Sequence, residues 1–114
     1  MRKLITMKEL PSIMVQRAGE TRTDYLLRLR EIASTMRIAR TVRETGVEYS
    51  FFEYHYNVMK ALISKMFDCD LGRKEYSKLT AEERKAEYDK LEDKHEEHGQ
   101  KARIFARMCG IRLC

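Results

Sequence analysis

Two histidines and two cysteines in the last quarter of the chain have the strongest metal-binding chemistry in the sequence. His95 and His98 lie one helical turn apart, and Cys109 and Cys114 follow them. Imidazole nitrogens and thiolates are ligands that Zn²⁺ prefers. The spacing fits no known zinc motif, because ten residues separate His98 from Cys109 and Cys114 is the last residue of the chain. We therefore predict no metal and no cofactor, and assign His95 and His98 to a helix interface.

A cluster of arginines between positions 22 and 43 could bind phosphate or carboxylate groups. A guanidinium group pairs with either anion more specifically than a lysine ammonium does. The members are Arg22, Arg28, Arg30, Arg37, Arg40 and Arg43. Nearby Asp24, Glu31 and Glu44 could instead neutralise part of the cluster, which would then be only a solvated helix face. Both interpretations stay open, and these six arginines are the predicted contacts to a partner or to phosphate.

The segment 11–28 permits a helix-turn-helix interpretation. A short helix would end at Gly19, and a second would begin near Arg22 with basic and hydroxyl-bearing side chains, as entry into a major groove requires. The match is loose, because the second helix is longer than a usual recognition helix and no helix precedes Leu10. Nucleic-acid binding through this segment and the arginine-rich second helix is the alternative function.

Aromatic residues are dense between positions 49 and 56. They are Tyr49, Phe51, Phe52, Tyr54 and Tyr56. Exposed rings could stack on nucleic-acid bases or anchor a protein interface, whereas buried rings would fill the core. The core is the favoured interpretation for the group. The candidate interface residues are Tyr49, Phe51, Tyr54, His95 and His98.

No catalytic motif accompanies these residues. The sequence has no Ser/His/Asp set, no Gly-rich phosphate loop and no pair of carboxylates in an apolar setting. We therefore expect a non-enzymatic protein, an adaptor or inhibitor that docks onto a larger protein assembly. A macromolecular protein partner is expected, with nucleic acid as the alternative, and a homodimer is compatible with the same helix faces.

Composition favours one helical domain spanning residues 1–114. The chain is 43% hydrophobic, which is enough for one core, and it has no apolar run of the length that crosses a bilayer. The net charge of +5 is concentrated in residues 1–46, where ten basic residues face five acids. Three cysteines cannot all pair within one chain, and they suggest thiols in a reducing, cytoplasmic compartment. We expect no membrane association.

Helix-start signatures divide the chain into helices. Ser or Thr three residues before Asp or Glu can satisfy free backbone N–H groups at a helix N-terminus. The pattern occurs before apolar runs at Thr6, Thr21, Ser50 and Thr80. It also occurs at Thr41 and Thr45, so the spacing of apolar residues must decide between the candidates. The predicted fold is an all-α bundle of three long helices plus a short N-terminal one.

The first two predicted helices cover residues 10–18 and about 23–44. Pro11 suits the first turn of the first helix, and Gly19 follows its end. Gly46 ends the second helix, whose apolar face includes residues at spacings of three and four. That face is formed by Tyr25, Leu29, Ile32, Met36 and Ala39.

The third predicted helix covers residues 50–68, with a capping box of Ser50 and Glu53 at its start. Apolar residues cover most of its circumference, which predicts a mostly buried helix, either at the centre of the bundle or partly covered by a second copy or another protein.

The fourth predicted helix begins at Thr80, and its heptad seam, which includes His95, His98 and Phe105, is expected to face another helix within the fold or across a dimer. A continuous helix from there to the chain end would be longer than a compact domain of this size is wide, so we expect it to break near Gly99 or to project.

Overall fold

The computed structural model describes residues 5–36 and 46–112. Its helices are α1 (Leu10–Ile13), α2 (Arg22–Thr35), α3 (Gly46–Asp70) and α4 (Ala81–Cys109), with a 3₁₀ helix (Lys74–Tyr76) between the last two. No β-strand occurs within these ranges. The predicted all-α bundle of three long helices and a short N-terminal helix is confirmed.

The two longest helices, α3 and α4, form an antiparallel hairpin. His55 meets His98 at one end of the hairpin, and Cys69 Sγ donates to the Arg84 carbonyl at the other. Helix α2 packs mainly on the second half of α4. We call α1, α2, residues 46–57 and residues 95–109 the three-helix end, and residues 58–94 the hairpin end.

Each end has its own hydrophobic core. The core of the three-helix end contains twelve buried residues: Ile5, Leu10, Tyr25, Leu29, Ala33, Met36, Phe52, Ala102, Ile104, Phe105, Ala106 and Met108. The core of the hairpin end contains four: Leu62, Cys69, Tyr76 and Leu91. The predicted apolar face of α2 is confirmed for its described members, because Tyr25, Leu29 and Met36 are buried and Ile32 packs against them.

Helix α1 is a single turn, shorter than the predicted helix over residues 10–18. Its start is as expected, with a proline in the first turn. Beyond Ile13 the chain leaves the helix because α2 side chains take the backbone carbonyls. Arg28 donates to the carbonyls of Ile13 at 2.7 Å and Val15 at 3.0 Å, and the Tyr25 hydroxyl donates to that of Met14 at 2.9 Å. Tertiary hydrogen bonds therefore replace the second turn.

Helix α2 begins as predicted and ends early. The Thr21 hydroxyl accepts from the Asp24 amide at 3.1 Å, which is the expected N-terminal cap. Met36 has an extended backbone, with ψ of 138°, so the predicted continuation of the helix is wrong at this residue. The Met36 carbonyl instead accepts from Arg107 Nη1 of α4 at 2.8 Å. The rest of the predicted range, with Arg37, Arg40 and Arg43, lies outside the described residues.

Helix α3 does not begin at Ser50, so the capping box assigned there is wrong. The chain is already helical at Gly46, and Ser50 is an exposed residue in the second turn. The competing signature that begins at position 45 fits better, because its acid, Glu48, lies in the first turn near the positive end of the helix dipole. Residue 45 itself lies outside the described ranges.

The expectation that this helix lies at the centre of the bundle is wrong, because α4 contacts both α2 and α3, whereas cover by a second copy or another protein stays a prediction. Large apolar side chains remain exposed in α3 or directly after it: Val47, Phe51, Tyr54, Ile63, Phe67 and Leu71. Helix α4 covers one side of α3, and the described part of α2 lies on α4. These side chains remain exposed although both α4 and the 3₁₀ helix contact α3.

Helix α4 begins at the predicted cap and continues without a break. Thr80 and Glu83 form a capping box, with each side chain accepting from the other residue's backbone amide. The expected break near Gly99 does not occur, because the molecule is elongated, 49 × 32 × 21 Å, and accommodates a helix of about 43 Å. A Cβ at Gly99 would lie 3.3 Å from Met59 Sδ, so this glycine lets α3 and α4 approach closely.

None of the described helices combines the length and the apolar character that crossing a bilayer requires.

Candidate functional site

Arg28, a predicted partner contact, is fully engaged within the molecule. Its Nε and Nη2 atoms donate to the two carboxylate oxygens of Glu20, each at 2.9 Å. The hydrogen bonds from Arg28 and from the Arg17 amide lower the pKa of Glu20 to about 2. With its bonds to the carbonyls of Ile13 and Val15, Arg28 fastens the segment before α2 to that helix.

Arg22 and Arg30 join α2 to α4. Arg22 pairs with Glu97, and Arg30 Nη2 lies 2.6 Å from a carboxylate oxygen of Glu96. Lys101 also contacts Glu97, at 2.7 Å. Burial alone would raise the pKa of Glu97, but hydrogen bonds from Lys101 and Arg22 outweigh it and lower the pKa. The basic side of α2 thus faces the acidic middle of α4.

Tyr25 lies at the centre of this network. The guanidinium groups of Arg22 and Arg28 lie 5.5 and 5.4 Å from the centre of its ring. Its hydroxyl is shared between the Met14 carbonyl at 2.9 Å and a Glu97 carboxylate oxygen at 3.2 Å. Burial, followed by the charge of Glu97, raises its pKa to about 12. The described arginines of the predicted cluster therefore have structural roles, and phosphate contact stays a prediction.

The segment 11–28 contains one helical turn and the first half of α2. Residues 14–20 form bends and a turn, with Gly19 at φ of +81°. A helix-turn-helix unit needs two packed helices, and the first one here is only four residues long. No described geometry of this segment favours entry into a major groove.

Five rings converge where α3 and α4 meet in the three-helix end, and we call this group the aromatic patch. Phe51 stacks on Phe105 with ring centres 5.2 Å apart. His55 stacks on the same ring at 5.7 Å and an interplanar angle of 9°. Tyr54 meets His55 edge-on at 5.0 Å and His98 at 6.3 Å. Phe51, Tyr54, His55, His98 and Phe105 thus form one connected cluster.

The outer rings of the aromatic patch are exposed, whereas His55 and His98 are half-buried and Phe105 is buried. Tyr54 is 58% exposed and Phe51 is 44% exposed, whereas Phe105 below them is 3% exposed. Val47, one turn before Phe51, is 57% exposed. A mainly apolar depression of about 500 Å³ is lined by Val47, Ser50, Phe51 and Tyr54. The surface is therefore apolar, aromatic and supported from beneath.

Within the aromatic patch, His55 and His98 form a hydrogen-bonded pair. Their Nδ1 atoms lie 2.9 Å apart, so one nitrogen donates and the other accepts. Burial, then the charges of His98 and Lys101, lowers the pKa of His55 to about 4. Burial also lowers the pKa of His98, although Glu97 opposes the shift. The pair is therefore neutral near pH 7.

The structure brings some of the predicted interface residues together and separates others. Phe51, Tyr54 and His98 are in the aromatic patch. Tyr49 packs against Phe52 instead, with ring centres 6.1 Å apart, beside the core of the three-helix end. His95 is half-buried and makes no hydrogen bond or ring contact with another described residue.

Two members of the aromatic patch, His55 and Phe105, were not among the predicted interface residues, although Phe105 was expected on the same helix seam as His98. Each had a signal in the sequence. His55 follows Phe51 by four residues, which puts the two on one helix face, and Phe105 lies seven residues after His98 on the repeat of α4.

The cysteines and histidines do not assemble in the described part of the chain. Cys69 is buried in the hairpin end and Cys109 in the three-helix end, while Cys114 lies outside the described residues. Among the described residues, no group of three or more His, Cys, Asp or Glu side chains could hold a metal ion.

Comparison with protein-family models, curated proteins and solved structures finds no match for this chain.

Proposed function

We propose that the protein is a non-enzymatic binding protein that docks the aromatic patch, together with Val47, onto a larger protein. The observation that carries this proposal is the pair of exposed aromatic rings, Phe51 and Tyr54, beside an apolar depression. Aromatic residues are enriched at the centres of protein interfaces and supply a large share of binding energy there.

The ring contacts beneath this surface prepare it for binding. Ordering a mobile side chain at an interface costs about 0.5–1.5 kcal/mol. Phe51 already stacks on the buried Phe105, and Tyr54 already contacts His55 and His98. Their rings lose less freedom on binding than rings without such contacts, which favours the aromatic patch as the anchor.

The hairpin end exposes apolar side chains without this support. Phe67 is 63% exposed and Leu71 is 54% exposed, close to the values for Tyr54 and Val47. Phe67 makes no ring contact with another described residue. Exposure alone therefore does not distinguish the two surfaces. They differ in the ring contacts that hold Phe51 and Tyr54 in place and that Phe67 lacks among the described residues.

A protein partner is favoured over nucleic acid by the charges around the aromatic patch. Base stacking on exposed rings normally accompanies a basic groove that follows the phosphate backbone. The described arginines of the predicted cluster, Arg22, Arg28 and Arg30, are paired with acids of this chain. Nucleic-acid binding stays the alternative, and it predicts an affinity that falls steeply with salt.

Affinity capture with matched double variants tests the proposal. The first variant, Val47→Ser with Tyr54→Ser, replaces one aliphatic and one aromatic side chain at the aromatic patch. The second, Phe67→Ser with Leu71→Ser, replaces the same two kinds of side chain in the hairpin end. We expect the wild type and the hairpin variant to retain a stoichiometric protein partner, and the first variant to retain at least tenfold less. Circular dichroism verifies that both variants keep their helix content.

Equal retention by the two variants would show that the aromatic patch is not the docking surface. Recovery of nucleic acid without a stoichiometric protein, at low salt and with the wild type, would replace the proposal by the alternative. A homodimer in light scattering that the Val47 and Tyr54 changes dissociate would make a second copy the partner.

A further inference from the structure

A second surface feature, which we call the arginine cleft, lies where the ends of α2 and α4 meet. It has a volume of about 290 Å³. Its lining consists of Ala33, Ser34, Arg103, Ala106, Arg107, Ile111 and Arg112. Small side chains from both helices leave the space, and three guanidinium groups border it. No acidic side chain is among these described lining residues.

Two of the arginines that border the arginine cleft, Arg103 and Arg112, are exposed. They make no ion pair or hydrogen bond with another described residue. Arg107 is half-buried, and its Nη1 atom is held by the Met36 carbonyl at 2.8 Å. Arg103 and Arg112 therefore differ from Arg22 and the other described arginines of α2, each of which faces a carboxylate.

The partial negative charge at the C-terminus of α4 accounts for the position of only one of the three arginines. A helix C-terminus carries partial negative charge and favours cations, but the effect is confined to the last turn. Arg107 lies in that turn and also caps α2 through Met36. Arg103 lies before the last turn, and Arg112 lies beyond Gly110, where the helix has ended. Arg103 and Arg112 thus have no partner among the described residues that accounts for their position.

We propose that the arginine cleft binds a compact anion with several negative charges, of the pyrophosphate class. Guanidinium groups form paired, charge-assisted hydrogen bonds with phosphate oxygens. Three of them border one cleft of small volume, an arrangement that suits a short oligophosphate rather than an extended chain. A ligand of two linked phosphates offers enough oxygens for all three side chains.

This inference is independent of the proposed docking function. Arg107 contacts Met36 at the end of α2, so the arginine cleft lies on the side of α4 that faces α2. His98 contacts His55, so the aromatic patch lies on the side that faces α3. Either surface can be changed while the other is kept.

Isothermal titration of the full chain with inorganic pyrophosphate at low ionic strength is the test. We expect one site per chain, with affinity at least tenfold higher than for orthophosphate or citrate and a decrease on addition of salt. The double variant Arg103→Gln with Arg112→Gln is expected to lose at least tenfold in affinity. Both side chains are exposed, and circular dichroism verifies the fold.

Lys65→Gln with Lys78→Gln is the matched control, because it removes the same charge from exposed positions in the hairpin end. It is expected to bind pyrophosphate like the wild type. An equal loss in this control, or no detectable binding by the wild type, would overturn the proposal. Citrate binding as tightly as pyrophosphate would show that the arginine cleft does not select phosphate groups. A single-stranded oligonucleotide that binds more tightly through Arg103 and Arg112 would make the cleft a nucleic-acid site.

Discussion

The three-helix end and the hairpin end are built from the same two helices, yet they differ in how much they bury. Twelve residues form the core of the first and four the core of the second. The difference is α2, which packs on α4 and adds its own apolar face. The third helix therefore gives this end a larger hydrophobic core than two helices alone form. Both candidate surfaces, the aromatic patch and the arginine cleft, lie at this end.

The hairpin end is instead stabilised by a helix cap, a hydrogen bond between its two helices and a small core. A capping box of Thr80 and Glu83 starts α4, and Cys69 Sγ donates to the Arg84 carbonyl at 3.2 Å. Tyr76 of the 3₁₀ helix covers part of the small core. Segments with few buried apolar contacts open at lower free energy, so we expect the hairpin end to open first.

The largest expected difference concerns leucines in the two cores. Leu29 of the three-helix end is 0% exposed, and Leu62 of the hairpin end is 8% exposed. Leu29→Ala is expected to lower the free energy of unfolding by about 4 kcal/mol, and Leu62→Ala by about 2 kcal/mol, because a cavity nearer the surface can collapse. Denaturant titration measures both. A larger loss from Leu62→Ala would reverse the comparison.

The arginines of α2 offer a second test of the comparison, because they hold α2 in place at the three-helix end. Arg28→Met leaves Glu20 and the carbonyls of Ile13 and Val15 without their donor, and is expected to cost about 2 kcal/mol. The more exposed Arg30, paired with Glu96, is the control, and Arg30→Met is expected to cost less than about 1 kcal/mol. Equal losses in thermal unfolding would show that the exposed pair matters as much as the buried one.

The two helix caps compare the ends directly. The double variant Thr80→Ala with Glu83→Ala removes both capping-box hydrogen bonds and is expected to cost about 1 kcal/mol, with faster amide exchange over the first turn of α4. Thr21→Ala removes one cap at the start of α2 and is expected to cost somewhat less. Hydrogen exchange distinguishes the two, and protection lost equally at both helix starts would contradict local opening of the hairpin end.

The smallest expected effect is a pH dependence at the histidine pair. The folded-state pKa of His55, about 4, lies below the unfolded value of 6.5. Stability from this group is therefore present above pH 6.5 and is lost as pH falls from there toward 4, because the unfolded chain binds the proton first. The charged groups nearest the pair are Glu97, Lys94 and Lys101 of α4 and Arg22 of α2.

Melting temperatures at pH 7 and pH 5 measure this effect. The wild type is expected to melt lower at pH 5, and His55→Phe, which keeps a ring against Phe105, is expected to reduce the difference. His95→Gln is the control, because His95 is outside the pair, and its profile should follow the wild type. An unchanged difference in His55→Phe would mean that the pair does not titrate as described.

Local signals in the sequence predicted the helix starts that depend on neighbouring residues. The caps at Thr21 and Thr80 and the apolar face of α2 are confirmed. The start of α3 was missed because two similar signatures, at Thr45 and Ser50, lie only five residues apart. The end of α1 was missed because Arg28 and Tyr25, in a later helix, take its carbonyls.

The candidate site depends on pairings that one sequence does not reveal. The arginine cluster was visible, but the partner of Arg30 lies 66 residues away. His55 and His98 are 43 residues apart, and only the antiparallel packing of α3 on α4 joins them. Residue types therefore identified three of the five members of the aromatic patch, whereas how they come together could be learned only from the fold.

Site-specific photo-crosslinking tests the central claim, docking of the aromatic patch on a protein, most directly. A photoreactive side chain placed at Tyr54, 58% exposed, is compared with one at Phe67, 63% exposed, so both are equally accessible. We predict a discrete adduct with one larger protein from position 54 and none from position 67. Equal adducts from both positions, or an adduct from position 67 alone, would contradict the claim.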